Sequence, residues 1–361
     1  MESIKKINES EEYAYYIPCN IPLIVKAVNR LGGFVYINLL ANDGLVAVPN
    51  FILNSNNFPS SNVRFSKKIN KMKLLNELGI HKKYGYFDNF KEGLEYLRSM
   101  NEQGKDVLLG VTSYYLPYSR DYINPKYIEN YINRTIGVMN HYISVVDISH
   151  EKFKLYDVTE NEHEHWIGIK DLNLAWKGDS QIEAFTNFPD INELRPFTYL
   201  EVTLEKRICE RDLLAISIDL LKVIIEDCLS EKVISENGTS YFYGKSAIIE
   251  FLKYLKLYDF TDIKKNKSLS NCLIEMQISR YFLRDLIKDI AFLDDKFEKI
   301  YENIDGFSKE FTNIVYKFNF IISKKSVDKE KVLELSKKIY EIFESEQALY
   351  KGIVEDLGVS Q

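Results

Sequence analysis

Residues 141–158 have the sequence HYISVVDISHEKFKLYDV, in which two runs of alternating residues flank a short polar segment. Such alternation predicts an antiparallel hairpin of two strands, His141–Ile148 and Phe153–Val158. Successive side chains point to opposite faces of a strand, so the length of the loop decides which residues share a face. An odd loop places His141 and Asp157 on the same face, whereas an even loop places them on opposite faces.

The distribution of apolar residues favours an odd loop, residues 149–151 or 148–152, which sets His141 across from residue 159. One face is then apolar with two polar residues at its end: His141, Ile143, Val145, Phe153, Leu155 and Asp157. The other face is mixed: Tyr142, Ser144, Val146, Lys154 and Tyr156. In this register a carboxylate holds one imidazole nitrogen and leaves the other for a nucleophile. Taken singly, His141 also fits an ordinary polar strand residue, and Asp157 also fits a turn residue.

Cys19 is the cysteine best placed to be that nucleophile. It precedes a helix predicted over Pro22–Arg30 and ended by Gly32 and Gly33, and a helix N-terminus favours the thiolate. Position alone also fits a small buried apolar residue. The other cysteines lie in apolar helical patterns that predict core positions: Cys209, Cys228 and Cys272. No Cys-x-x-Cys pair occurs, which disfavours a disulfide framework and a zinc ribbon.

The rest of the sequence predicts two domains of different class. Up to residue 205 the pattern is mixed, and the predicted elements are a helix at Asn89–Asn101, a buried strand at Asp106–Thr112, and β-like runs at Phe34–Leu40 and Leu45–Val48. From residue 206 the spacing of apolar residues predicts helices at Asp212–Leu229, Gly244–Leu257, Ser268–Ile304, Phe307–Ser323 and Asp328–Leu357. We expect an α+β domain with an antiparallel sheet over residues 1–205 and a helical domain over residues 206–361.

The overall charge excludes some classes of partner. The 361 residues include 47 Lys and Arg against 53 Asp and Glu, a net charge of −6. This acidic balance disfavours general binding to nucleic acid. No apolar run approaches the ~18 residues that span a membrane, and the N-terminus lacks the pattern of a secretory signal. We therefore expect a cytoplasmic protein that binds neither nucleic acid nor membrane.

A cysteine at a helix start, followed later by a hairpin with His and Asp, resembles the layout of papain-like cysteine enzymes, which include the bacteriocin-leader peptidases. Three further runs resemble the N-terminal domain of the butirosin biosynthesis protein H family: GVTSYYLPYSRDY at 110–122, NHYISVVDI at 140–148 and KLYDVTE at 154–160. The run CNIPLIVKAVNRLGG at 19–33 is similar to the Cys-led helix and Gly turn of that family. The Tyr-Gly-x-x-Ala-Ile element at 243–248 resembles one in its companion helical domain.

The resemblance implies a papain-like catalytic domain joined to a helical domain, and acyl transfer in antibiotic biosynthesis. The donor would be a thioester on an acyl carrier protein, and the acceptor would be an amine on a small molecule, with no cofactor or metal. An amide synthetase of the closthioamide pathway looks similar in kind. Carried onto this sequence, Cys19 is the nucleophile, His141 the base and Asp157 the orienting carboxylate.

The tyrosine-rich segment after the predicted strand at 106–112 is a candidate wall of the substrate pocket. Its members are Tyr114, Tyr115 and Tyr118. Aromatic residues of the core would give the same pattern.

Two departures from the family patterns bear on the activity. Tyr13 stands where papain-like proteases carry a Gln for the oxyanion hole, so only the Cys19 backbone N–H is an evident donor. Ser113 stands where the resembled family often has Asp. These two departures weaken the hypothesis of a protease more than the hypothesis of a transferase. A cysteine peptidase or thioesterase of the same fold and a non-catalytic binding module remain the alternatives.

Three other features suggest weaker hypotheses. The basic stretch Arg64, Lys67, Lys68, Lys71, Lys73, Lys82 and Lys83 could dock an acidic carrier protein, although an ordinary solvated face fits better. His163 and His165 form a His-x-His pair, but an evident third ligand is lacking, so we expect no metal. The amphipathic helices leave open a cover for the catalytic domain, a lid or a homo-oligomer.

Overall fold

The computed structural model describes residues 17–42, 47–61, 74–126, 141–159, 163–178, 195–324 and 326–357. The chain divides into two compact units. Unit 1 contains residues 1–40 and 75–209, and unit 2 contains residues 41–74 and 210–361. Each unit has its own antiparallel sheet together with helices, so the expected α+β class with antiparallel sheets is confirmed.

The strands within the described part of the chain are β1 (Asn50–Leu53), β2 (Pro59–Ser60), β3 (Ile80–Tyr86), β4 (Val107–Val111), β5 (His141–Ser149), β6 (Lys152–Tyr156), β7 (Glu164–Gly168), β8 (Thr198–Leu204), β9 (Val233–Glu236) and β10 (Thr239–Tyr243). The α-helices there are α1 (Asn20–Arg30), α2 (Ile37–Ala41), α3 (Leu74–Glu77), α4 (Phe90–Glu102), α5 (Ile169–Lys177), α6 (Glu210–Leu229), α7 (Lys245–Leu257), α8 (Ile263–Leu293), α9 (Glu298–Ile322) and α10 (Lys329–Asp356). In the same described ranges, short 3₁₀ helices occupy Ser113–Tyr115 and Asp295–Phe297.

The sheet of unit 1 has the order β3-β8-β4-β5-β6-β7, and every neighbouring pair is antiparallel. α1 packs against β4, β5 and β8, and its apolar side is buried through Leu23, Ile24 and Val28. A core cluster joins α4 and α5 to the sheet through Leu97, Trp176 and the strand residues around them. This packing fixes the Cys19 helix against the strand that begins at His141.

The hairpin of β5 and β6 differs from the prediction in its turn but not in its faces. The turn has two residues, His150 and Glu151, because Ser149 pairs with Lys152. The predicted odd loop is therefore wrong. A β-bulge between Val145 and Asp147 then shifts the register by one residue. Beyond it Val145 pairs with Leu155.

The bulge restores the parity that the two-residue turn reverses. Four apolar residues of the predicted face lie in one core cluster: Ile143, Val145, Phe153 and Leu155. Continued past the pair Ser144–Tyr156, the register sets His141 across from Thr159. Of the face predicted to be mixed, Ser144 is buried, whereas the other members are partly exposed.

Arg30 connects the end of α1 to this bulge. Its Nη1 donates a hydrogen bond of 3.1 Å to the carbonyl oxygen of Val146. The same guanidinium group forms an ion pair with Asp106, whose side chain is fully buried just before β4. The last residue of the Cys19 helix is thereby tied to two neighbouring strands of the sheet.

The observed units differ from the predicted domains of residues 1–205 and 206–361. Residues 41–74 belong to unit 2 rather than to the first domain, because β1 pairs with β10 and β2 pairs with β1. The sheet order is β2-β1-β10-β9. The second half of the chain is thus not purely helical, since β9 and β10 form a hairpin around Asn237 and Gly238, both at positive φ.

Two predictions of secondary structure were wrong: the β-like run at Phe34–Leu40 and the break between the long helices at residues 305–306. The run Phe34–Leu40 leads instead into α2. The run Leu45–Val48 lies partly outside the described residues. The break between the long helices falls at Asp294, where the side chain caps the following turn by accepting from the N–H of Lys296. It does not fall near Gly306, which lies within α9 with open space around the position of a Cβ.

The Tyr-Gly-x-x-Ala-Ile element forms the junction between β10 and α7. Gly244 has φ 57°, and its N–H donates to the carbonyl of Pro49 at 2.9 Å. A Cβ at this position would lie 2.1 Å from the carbonyl oxygen of Asp227. The element is therefore a structural turn of unit 2, in which Ala247 and Ile248 are buried.

Within the described residues, no helix is both long and apolar enough to cross a membrane.

Candidate active site

Cys19 is the N-cap residue of α1 and is partly exposed. Its sulfur is hydrogen-bonded to the His141 side chain and accepts from the backbone N–H of Tyr142. Burial alone would raise the pKa of the thiol, but the hydrogen bond and charge of His141, aided by Tyr142, lower it below the usual 9.0. Cys19 takes the N-cap position because the helix begins at Asn20. Pro22 is compatible with this start, since N–H groups in the first turn of a helix have no partner within the helix.

His141 connects the cysteine to a buried carboxylate. Its Nε2 lies 2.8 Å from Oδ2 of Asp157, and the two side chains are 8% and 1% exposed. Because Nε2 faces Asp157, Nδ1 is the nitrogen left for Cys19. Burial would lower the pKa of His141, but the hydrogen bonds to Asp157 and Cys19 raise it to about 10. Both shifts favour a thiolate beside an imidazolium over the neutral pair.

Asp157 is held by four donors, two on each oxygen. Oδ1 accepts from the backbone N–H of Thr159 at 3.0 Å and from its hydroxyl at 2.8 Å. Oδ2 accepts from His141 and from the Tyr118 hydroxyl at 3.2 Å. Burial would raise the pKa of Asp157, but the bonds from His141 and Thr159 lower it. The carboxylate is therefore both ionised and fixed in orientation.

Thr159 and the role of Tyr118 were missed by the sequence analysis. The Asp-x-Thr spacing is the local signal for Thr159, since an Asp side chain often accepts from a backbone N–H two residues later. Tyr118 was predicted only as a pocket wall. No sequence pattern indicates its contact with a residue 39 positions away.

The two histidines of the His-x-His pair contact Asp157 and Tyr118, respectively. Nδ1 of His163 lies 3.1 Å from the carbonyl oxygen of Asp157, and the N–H of Asp157 donates to the His163 carbonyl at 2.8 Å. The His165 ring stacks on Tyr118, with centroids 3.8 Å apart and planes 6° apart. Among the described residues, no group of three or more His, Cys, Asp and Glu could hold a metal ion.

The tyrosine-rich segment follows β4, whose residue Val111 pairs with His141. Tyr114 is buried, and its ring meets that of Tyr115 edge-on at 5.1 Å. Tyr115 and Tyr118 are partly buried and pack against the core cluster of unit 1. The segment thus lies at the end of the sheet that carries His141, and binding of substrate by Tyr114, Tyr115 or Tyr118 stays a prediction.

The remaining cysteines differ from Cys19. Cys228 and Cys272 are buried, as predicted, and burial raises the pKa of each, that of Cys272 to about 12. Cys209 is exposed just before α6, so its predicted core position is wrong. Among Cys19, Cys228 and Cys272, Cys19 is the one whose pKa is lowered.

Of the other candidate residues, Ser113, Lys82 and Lys83 belong to the described part of the chain. Ser113 donates to Asp121 at 2.7 Å and is buried. Tyr13 and the basic residues from Arg64 to Lys73 lie outside the described residues. Lys82 and Lys83 lie on β3, which is one of the two edge strands of the unit 1 sheet within the described residues.

Comparisons with protein-family models and with curated proteins give no significant match.

Proposed function

We propose that this protein is a cysteine-dependent acyltransferase that forms amides, with a papain-like catalytic domain. It takes an acyl group from the thioester of an acyl carrier protein onto Cys19 and passes it to an amine of a small molecule, in antibiotic or related secondary metabolism of the cytoplasm. The observation that carries the proposal is the chain of hydrogen bonds from Cys19 through His141 to Asp157. The motif resemblance at 110–122 and 140–160 supports acyl transfer over proteolysis.

The first step is a transthioesterification. The Cys19 thiolate attacks the thioester carbonyl, the new C–S bond forms, and the bond to the carrier thiol breaks. The leaving thiolate takes the proton of the His141 imidazolium. Because one thioester replaces another, the step needs little free energy and no cofactor.

The second step uses His141 as a base. Acylation removes the thiolate, whose charge and hydrogen bond help to raise the pKa of His141. The neutral imidazole can then take a proton from the amine as it attacks the acyl-enzyme carbonyl. The C–N bond forms, the C–S bond to Cys19 breaks, and the cysteine returns as a thiolate beside the imidazolium. Asp157 keeps the ring oriented throughout.

Intact-mass measurement after incubation with an acyl-carrier thioester tests the covalent step. We expect an adduct of one acyl group that is lost in Cys19→Ala and kept in Cys209→Ala, the matched exposed thiol. Addition of a panel of amines should discharge the adduct and yield an amide. Free acid as the only product would identify a hydrolase instead, and the absence of any adduct would favour a binding protein.

A further inference from the structure

We propose that Tyr118 is a positioning residue that sets the orientation of Asp157, and through it the imidazole that activates Cys19. This inference rests on the proposed use of Cys19, His141 and Asp157. It assigns to Tyr118 a role different from the pocket wall that the sequence suggests.

The first argument is the atom that the hydroxyl contacts. Tyr118 donates to Oδ2 of Asp157, the same oxygen that accepts from Nε2 of His141. An ionised carboxylate only accepts, so the tyrosine hydroxyl is the donor in this contact. Two donors on one oxygen, with Thr159 holding the other, make rotation of the carboxylate costly.

The second argument is the way in which the tyrosine ring is held. It lies parallel to the His165 ring at 3.8 Å. β7, which carries His165, pairs with β6, which ends one residue before Asp157. The stack therefore fixes the hydroxyl relative to the strand that leads into the carboxylate. Three groups define the orientation of Asp157 besides His141: Tyr118, Thr159 and the backbone of His163.

The test is Tyr118→Phe, which keeps the stacked ring and removes the donor. Tyr122→Phe is the matched control, since it removes an exposed hydroxyl from the same loop. Both changes are made in a Cys209→Ala background, and Cys19 alkylation by iodoacetamide is followed by intact mass from pH 5 to 10. Among the described residues, the titratable groups that contact Asp157 or Tyr118 include His141, His163 and His165.

We expect Tyr118→Phe to slow alkylation at neutral pH about two- to tenfold, the range of one hydrogen bond. The midpoint of its pH profile should move upward, because a loosely held carboxylate stabilises the imidazolium less. Tyr122→Phe should match the wild type. A midpoint that stays in place overturns the proposal. So does one that falls, which would mean that the hydroxyl only withdraws charge from Asp157.

A second pair of variants tests the stack. His165→Phe preserves an aromatic partner and should shift the profile less than His165→Ala, which should repeat part of the Tyr118→Phe shift. Equal profiles for the two variants would contradict the role of the stack. The assay needs no acyl donor. A wild-type Cys19 that reacts as an ordinary thiol therefore refutes the proposed function, whereas a reactive Cys19 that is indifferent to Tyr118→Phe refutes this inference alone.

Discussion

Nε2 of His141 lies 2.8 Å from Oδ2 of Asp157 because a one-residue bulge offsets a two-residue turn. Without the bulge, the turn would direct His141 to the face opposite Asp157. The extra residue is Val146, whose carbonyl accepts from Arg30 at the end of the Cys19 helix. The bulge therefore determines which residues of the hairpin share a face, and it also links the hairpin to the Cys19 helix.

The protonation states of Cys19 and His141 predict how the reactivity of Cys19 depends on pH. The pKa of Cys19 is lowered from 9.0, so the thiolate is present above that lowered value and is lost as the pH falls through it. Alkylation of Cys19 should consequently have its midpoint below 9.0. His141→Ala should move the midpoint up and slow the reaction at pH 7, because the imidazolium that stabilises the thiolate is gone.

The control for this experiment is His150→Ala, which removes a histidine from the exposed turn of the same hairpin. It should leave the profile unchanged. A wild-type midpoint at or above 9.0 would contradict the thiolate–imidazolium pair.

Replacement of Asp157 by Asn should separate charge from shape. Asparagine can still accept from Thr159, but it lacks the negative charge that stabilises the His141 imidazolium. A hydrogen bond to a charged group contributes about 1.5–3 kcal/mol, which corresponds to roughly 10- to 150-fold in rate. We expect a loss of acylation in that range, measured by single-turnover mass spectrometry. An Asp121→Asn variant, altered at the carboxylate that accepts from Ser113, should acylate at nearly the wild-type rate.

The alternating pattern at 141–158 predicts that His141 and Asp157 lie on the same face of the hairpin as the apolar residues. It does so because the face of a sheet that packs against the core must be apolar. It does not predict the bulge, whose Val146 carbonyl accepts a hydrogen bond from Arg30, a residue more than a hundred positions earlier in the chain. The contact of Tyr118 with Asp157 is likewise a tertiary contact without a local pattern.

In unit 2 one local signal was present. Asn237-Gly238 between β-prone residues is a hairpin signature that indicates β9 and β10. The prediction of a purely helical second half overlooked it. The pairing of β1 with β10 joins segments nearly two hundred residues apart, which helical periodicity in the second half of the chain cannot reveal.

Arg30 should contribute to the stability of unit 1. Burial raises the pKa of Asp106, and the Arg30 guanidinium opposes this rise. Arg30→Met should cost about 1–3 kcal/mol at neutral pH, because a buried carboxylate loses its charged partner, and the loss can be measured by urea denaturation. Arg211→Met removes an arginine from the exposed pair with Asp212 and should change stability by less than about 0.5 kcal/mol. If the two variants lose the same stability, the buried pair has no special role.

Gly244 should tolerate no side chain. Its φ of 57° disfavours other residues, and an added Cβ would lie 2.1 Å from the Asp227 carbonyl oxygen, so the backbone of α6 or the β10–α7 junction must move. Strained backbone costs on the order of 1–3 kcal/mol before this clash is counted, and Gly244→Ala should lower the unfolding free energy by at least about that amount. Gly352→Ala is the matched control in α10, where nothing lies within 4 Å of the new Cβ, and alanine there should stabilise by about 0.5–1 kcal/mol. Circular dichroism during denaturation should separate the two variants in opposite directions from the wild type. A Gly244→Ala protein as stable as the wild type would contradict the geometry of the junction.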